Sequence, residues 1–440
     1  MQIFNNQELQ NNINELTNNP TLNSARLYWG KEDLIIRSAI DLRIFNTPFG
    51  SISLLYGPRQ IGKTASLRLF LSRLTDSETI IFTDCSAILN KTDLAQHLSE
   101  LIKGRTTIVL DEVQGVDGWH LALRSLHAAG KLQNCRVWCT GSEARHLLES
   151  GERLPGRKGL GVTVMARPWS FREYMDFLHP EQSAPVSKLK YSHVTQTWLD
   201  AQTTFWQDYW QSYLLTGGIP LSVGEQHKTG KIADATWNIY VDWIMGTWSR
   251  QRTAEHSLIA LARQLCETLN SRVSFETLKK GTDILSPNTV KTLIEMQEDH
   301  FALKLLPRYD PQRERFLPIK LKKIYPIDPF IARVWASIGW NIRRLISKNV
   351  PFLHLDECAF LVQAYRWQNT PNVSYLYSDT QRAEVDFYFD ETAFELKSGG
   401  VPTKGQRALL KHCPKSFFLN KQTLPIMAYL VGEGRGDWGG

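Results

Sequence analysis

The octapeptide GPRQIGKT at residues 57–64 constrains this chain more than any other stretch. It fits G-x-x-x-x-G-K-[ST], a loop whose successive backbone N–H groups wrap nucleotide phosphates. In that pattern the lysine reaches the β/γ-phosphates and the hydroxyl holds Mg²⁺. The motif needs a strand before it and a helix after it. Residues 52–56 (ISLLY) read as a short buried strand, and residues 65–74 (ASLRLFLSRL) read as a helix. The expected fold around the loop is therefore α/β with a parallel sheet. Gly57, Pro58, Arg59, Gln60, Ile61, Gly62, Lys63, Thr64 and Ala65 are the expected nucleotide contacts, with ATP and Mg²⁺ as ligands.

The following segments extend that reading. Residues 33–45 have helical spacing, residues 78–83 (ETIIFT) predict a strand running to Asp84, and Thr92-Asp93 predicts the cap of a helix through Ile102. Residues 106–112 (TTIVLDE) form an apolar strand ending in two acids. One strand–helix unit beyond a phosphate loop, Asp111 would complete the Mg²⁺ shell and Glu112 would polarise the attacking water. Residues 135–140 predict another strand, ending in Thr140-Gly141-Ser142. Thr140 or Ser142 either senses the phosphate or positions water, or is a strand-terminal turn residue. Residues 162–166 supply the last core strand.

At 440 residues the chain has room for about three domains. A hydrophobic content of 42% with 22% charged residues is that of a globular chain, and no apolar run is long enough to span a bilayer. The Asn- and Gln-rich start has no basic-then-apolar leader, so a cytoplasmic protein with no membrane partner is expected. Six cysteines, at 85, 135, 139, 266, 358 and 413, show no C-x-x-C spacing and are expected as reduced core thiols. The net charge of +7 favours a polyanionic partner, expected to be DNA.

Residues 177–190, with two prolines and two serines, read as a linker. Trp198, Trp206, Trp210, Trp237, Trp243 and Trp248 are spaced as core residues of helices. From residue 256 an amphipathic helix, a short helix at 274–280 and a third helix with Ser286 as cap and Pro287 at its first position predict a helix-turn-helix. Residues 303–306 and 322–327 are the expected strands of a wing. The segment from Arg308 to Lys323 holds six basic against two acidic residues. Asn288, Thr289, Lys291, Arg313, Arg315, Lys322 and Lys323 are the candidate phosphate contacts; the alternative is a winged helix used for packing, with a solvated basic loop.

Near the C-terminus, residues 384–389 (EVDFYF) and 393–397 (AFELK) predict two strands. Asp386, Glu395 and Lys397 can lie on one side of them, because strand side chains repeat every two residues. Asp386 and Glu395 would then hold Mg²⁺ and Lys397 would orient water, as in a metal-dependent phosphodiesterase, with Glu357 as a further acid from the preceding helix.

The series GPRQIGKT, IVLDEVQ followed by Trp119, TGSEARHLL, the turn at 154–157 (LPGR) and PWSFREY at 168–174 resembles AAA-type ATPases of archaea and bacteria that carry a nuclease-like C-terminal domain. Glu143 and Trp169 depart from that pattern. The resemblance implies that Arg157 reaches a γ-phosphate, in its own subunit or in a neighbour within a homo-oligomer; pairing with a core carboxylate is the alternative. EVDF and ELKSG resemble the restriction-endonuclease-like fold, which leaves cleavage, binding without cleavage and a structural role open. The expected organisation is an Asn-rich segment at 1–30 and a P-loop AAA-type domain at 31–175. A linker and helical region follows at 176–250, then a winged helix at 251–335 and an α/β nuclease-like domain at 336–440. The expected function is ATP hydrolysis coupled to action on DNA, or else an ATP-dependent signalling or scaffold switch with an inactive nuclease-like domain.

Overall fold

The computed structural model describes residues 2–4, 42–71, 74, 78–143, 147–148, 160–202, 206–317, 321–340, 354–365, 373–397 and 402–433. It divides into two compact units, residues 1–167 with 299–301, and residues 168–298 with 302–440.

The first unit runs β1 (Gln2–Phe4), β2 (Ile52–Tyr56), α1 (Lys63–Leu71), β3 (Thr79–Asp84), α2 (Lys91–Leu101), β4 (Thr106–Asp111), α3 (Trp119–Ala128), β5 (Cys135–Gly141) and β6 (Thr163–Met165). The sheet order is β1-β3-β4-β5-β2-β6, with five parallel strands and β1 antiparallel at one edge. β4 and β5 are buried along their whole length. A central parallel strand is covered on both faces, which is why TTIVLD is a continuous apolar run and not an alternating one. Leu54, Ile108, Leu110 and Val137 pack with Leu94, Leu98, Trp119 and Leu123 in one buried cluster.

Two details differ from the sequence reading. α2 begins at Lys91, because Asn90 Oδ1 accepts from the backbone N–H of Thr92 at 2.9 Å and of Asp93 at 3.1 Å. The cap expected at Thr92-Asp93 therefore lies inside the first turn. Of the helix expected at 33–45, only a 3₁₀ turn, Leu42–Phe45, falls within the described residues.

The second unit opens with α4 (Phe171–Leu178), started by a capping box in which Ser170 and Glu173 bond each other's backbone N–H. The expected linker continues as two short helical turns, Pro180–Ser183 and Ala184–Val186. Then come α5 (Gln207–Thr216), α6 (Pro220–Thr229), α7 (Asp234–Trp248), α8 (Glu255–Glu267), β7 (Arg272–Val273), α9 (Phe275–Lys279), α10 (Pro287–Asp299), β8 (Leu303–Leu306), β9 (Arg308–Asp310), β10 (Arg315–Leu317) and β11 (Lys322–Pro326). The chain continues with α11 (Pro329–Trp340), α12 (Asp356–Ala364), β12 (Ser374–Ser378), β13 (Ala383–Phe389), β14 (Thr392–Leu396), α13 (Lys404–Leu410), β15 (Lys415–Leu419) and α14 (Leu424–Val431).

Helix, short helix, capped helix and a three-stranded sheet β7-β11-β8 follow one another in this unit. The basic hairpin β9–β10, expected as a wing tip, pairs elsewhere. It forms the edge of a second sheet, β10-β9-β12-β13-β14-β15, with β9 parallel to β12. Only Pro307 separates β8 from β9. It has no N–H to continue a ladder, and its carbonyl accepts from the backbone N–H of Tyr375 at 3.1 Å, turning the chain into the larger sheet. Trp206, Trp210, Trp243 and Trp248 are buried, as expected of helix-core residues.

Candidate nucleotide site and a second acidic cluster

The sheet register determines what meets at the phosphate loop. Tyr56 pairs with Gly141 and Leu110 with Cys139, so the carboxyl ends of β2, β4 and β5 share one edge. Ligands of parallel α/β sheets bind at that edge. Gly57, leaving β2, has φ +148, and a Cβ there would lie 2.3 Å from the Ala166 carbonyl oxygen. Only glycine fits. Gly62 has φ +90 and open space where its Cβ would be, beside the N-terminus of α1.

Lys63 is 4% exposed. Its Nζ donates to the carbonyls of Gly57 at 3.0 Å and Pro58 at 2.8 Å. Burial pushes its pKa down to about 8, against the pull of Glu112 and Asp111. A desolvated ammonium bonded to neutral carbonyls is a cation that an incoming anion can capture.

Asp111 ends β4 and is buried. Thr64 Oγ1 donates to its Oδ2 at 2.8 Å, and Thr140 Oγ1 donates to its Oδ1. Burial raises its pKa, while those two hydroxyl bonds oppose the rise. Thr140 Oγ1 also accepts from the Glu112 N–H at 3.0 Å, so one hydroxyl ties both acids to β5. Glu112 itself is left-handed (φ 54, ψ 51), a conformation that costs a non-glycine residue about 1 kcal/mol or more. Its Oε2 accepts from Ser142 Oγ at 3.1 Å and from the Gln114 amide. Sequence reasoning gave Gln114 no role; the signal was its place two residues after Glu112. Gly141 makes that contact possible, because a Cβ there would lie 2.6 Å from Gln114 Oε1. Thr64, Asp111, Glu112, Thr140 and Ser142 are thus brought together, whereas Arg157 lies outside the described residues.

The second constellation lies in the second unit. Phe387 pairs with Phe394, which makes Asp386 and Glu395 cross-strand neighbours. Asp386 Oδ2 accepts from the Leu396 N–H at 2.9 Å. Glu395 is 4% exposed; its Oε1 accepts from the Gln406 amide and lies 3.7 Å from Lys397 Nζ, and its Oε2 is buried without a hydrogen-bond partner. Burial and the neighbouring Asp386 push Glu395 up to about 8, and burial and the same neighbour push Glu357 up to about 7.

Lys323 corrects the expected DNA strip. Its side chain is fully buried, and its ammonium lies 2.8 Å from Asp386 Oδ1, 2.9 Å from Glu384 Oε1 and 3.0 Å from Glu357 Oε2. Burial opposes its charge, but these acids win and hold its pKa well above the usual lysine range. It cannot reach a phosphate. Arg313, Arg315, Asn288 and Lys291 are exposed, Thr289 and Lys322 half-buried, and Lys291 lies 3.6 Å from Glu295 on its own helix.

Residues 50–175 match the model of a family described as an AAA domain, and residues 207–341 match a domain of unknown function, DUF8612. Over 373 residues the chain is 23% identical to the uncharacterized protein MJ1544 of Methanocaldococcus jannaschii, covering 81% of this chain and 75% of that protein. Solved structures similar to it include the Aeropyrum pernix ORC1 protein in complex with DNA, at 16% identity and TM-score 0.33, over 67% of this chain and 88% of that one. Another is the Thermotoga maritima RuvB Holliday junction branch migration motor, at 12% identity and TM-score 0.28, over 58% and 82%. The family match falls on the parallel sheet that carries the phosphate loop at its carboxyl edge, and residues 50–175 form an AAA-type P-loop core.

Proposed function

We propose that this protein binds ATP with Mg²⁺, hydrolyses it, and couples turnover to action on DNA. The observation that carries the first part is the Thr64–Asp111–Thr140–Glu112 network. The residues fit the ligands: an open cradle at Gly62, a buried cation with only neutral carbonyls on its ammonium, and a hydroxyl and a carboxylate converging at 2.8 Å. Lys63 and the loop N–H groups would hold the phosphates, and Thr64 and Asp111 the metal, whose chemistry is neutralisation of the phosphate charge. Glu112, steered by Gln114 and Ser142, accepts the proton of the attacking water. Thr140 keeps Asp111 and Glu112 in register.

The DNA reading rests on the exposed residues of the capped helix and the basic hairpin. Asn288 and Lys291 stand on α10, and Arg313 and Arg315 stand on and beside β10. Contacts of this kind are mostly to phosphate and carry little sequence choice. The test is ATP turnover with duplex, branched and single-stranded DNA, together with binding measured against salt. Stimulation by at least one structure and a salt-dependent affinity are expected. An unchanged rate with no salt-dependent binding would remove DNA from the proposal and leave an ATP-driven protein switch.

A further inference from the structure

The acidic cluster of the second unit already contains a cation, supplied by the chain. Glu357 comes from α12, Glu384 and Asp386 from β13, and all three carboxylates converge on the Lys323 ammonium at 2.8–3.0 Å. Glu384 is shared with Arg272, whose Nε lies 2.6 Å away. Tyr325, two residues along the same strand and on the same face as Lys323, donates its hydroxyl to Glu357 Oε2. Beside Asp386 the buried Glu395 keeps one oxygen without any hydrogen-bond partner. The cluster thus offers more carboxylate than one ammonium satisfies.

Lys323 is not free to leave. β11 is the central strand of its sheet, and Lys323 pairs with Arg272 of β7 on one side and Leu306 of β8 on the other. Its backbone is pinned by ladders on both edges, and its side chain points into the acids. A Mg²⁺-like ion needs carboxylate oxygens at about 2.0–2.1 Å. The space between Asp386 Oδ1 and Glu357 Oε2 is filled by a group of the same charge sign. Among the described residues no cluster of three or more His, Cys, Asp and Glu is arranged to hold a metal in this conformation.

We propose that Lys323 is the resident cation of a latent divalent-metal site formed by Glu357 and Asp386 with Glu395. Lysine and metal exclude each other, so the second unit, folded as here, binds no metal at this site and cleaves no phosphodiester through it. This inference concerns the second unit alone, and failure of the ATPase reading would leave it standing.

Mn²⁺ titration followed by electron paramagnetic resonance tests it on the full chain. Wild-type protein and its Asp386→Asn variant are expected to bind Mn²⁺ alike, since the site is closed in both. Lys323→Met, which is close in shape and has no charge, is expected to gain a site at least about tenfold tighter, lost again in Lys323→Met/Asp386→Asn. Its thermal midpoint is expected to rise with Mn²⁺ by more than that of wild type, and the excess is expected to vanish in the double variant. Asp386-dependent Mn²⁺ binding by wild type would overturn the proposal, as would Mn²⁺-dependent DNA cleavage that Asp386→Asn abolishes. A folded Lys323→Met protein with no gain would do the same. If Lys323→Met does not fold, the comparison of wild type with Asp386→Asn still decides, because it needs no substitution at Lys323.

Discussion

Thr140→Val is the most informative change in the first unit. Valine keeps the branched shape, so the fully buried site is neither emptied nor overpacked. What disappears is one hydroxyl with two jobs: donation to Asp111 Oδ1 and acceptance from the Glu112 N–H. Asp111 is 7% exposed and retains Thr64 as a donor, so one carboxylate oxygen and one N–H are orphaned. Each buried orphan costs about 1–3 kcal/mol, for a combined loss of about 2–6 kcal/mol. In a unit of this size that lowers the melting midpoint by roughly 4–24 °C. The Glu112 N–H bond also supports its left-handed backbone, so turnover is expected to fall at least about tenfold, with every further 1.4 kcal/mol another factor of ten. Thr140→Ser retains the hydroxyl and should restore most of both. The assays are a thermal melt and steady-state ATP hydrolysis against Mg²⁺ concentration. A valine variant with wild-type melting, turnover and Mg²⁺ dependence would show that the hydroxyl holds nothing in place.

Gly57→Ala must set a Cβ 2.3 Å from the Ala166 carbonyl at φ +148; binding of a fluorescent ATP analogue should be lost, and unaltered binding would contradict the cradle. Lys63→Met removes a desolvated charge held by neutral carbonyls, so the melt should not drop while nucleotide affinity falls by about 10² or more. Asp328 is buried, accepts from the N–H of Gly218 at 2.7 Å and Phe330 at 2.8 Å, and is pushed by burial up to about 7 from an ordinary 3.8. The folded state therefore binds the extra proton between about pH 4 and 7, and the stability from this group is present below that window and lost as pH rises through it. Urea unfolding of wild type minus Asp328→Asn should decline across the window, and a flat difference would remove the titration from Asp328. Replacing Arg313 and Arg315 by alanine should weaken DNA binding evenly across sequences and reduce the salt slope by about 2, whereas an unchanged slope would take the hairpin out of the interface.

The first unit was legible because its signals are local. A buried parallel strand announces itself as an apolar run, and a run that stops at Asp111-Glu112 or Thr140-Gly141-Ser142 stops where the sheet edge lies. The Asn90 cap was missed by two residues, because Asn and Thr-Asp both carry side chains that bind free N–H groups. The basic segment between the expected wing strands is instead the hairpin β9–β10 at the edge of the larger sheet. Edge pairing with β12, more than sixty residues later, leaves no mark in either segment. Lys323 failed for a different reason. A count of basic residues ignores side, yet Lys322 and Lys323 are consecutive in a strand and must face opposite ways. Alternation alone separates the half-buried Lys322 from the buried Lys323 that joins Tyr325 on the inner face.

The two buried lysines carry opposite information about their sites. Lys63 touches only backbone carbonyls, its carboxylate neighbours act from further away, and burial lowers its pKa to about 8. Its charge is incompletely compensated, so an anion entering the loop gains the whole interaction. Lys323 touches three carboxylates, and their attraction outweighs burial. A second cation entering there must first displace a charge that is already satisfied, and removing one partner of a buried ion group typically costs about 3–5 kcal/mol. The same residue type, buried to the same degree, thus leaves one site open to its ligand and the other filled. In Asp386 and Glu395-x-Lys397, motif residues alone would mark a metal-dependent nuclease. It is the charge supplied from strand β11, outside the motif, that decides whether the site can take a metal at all.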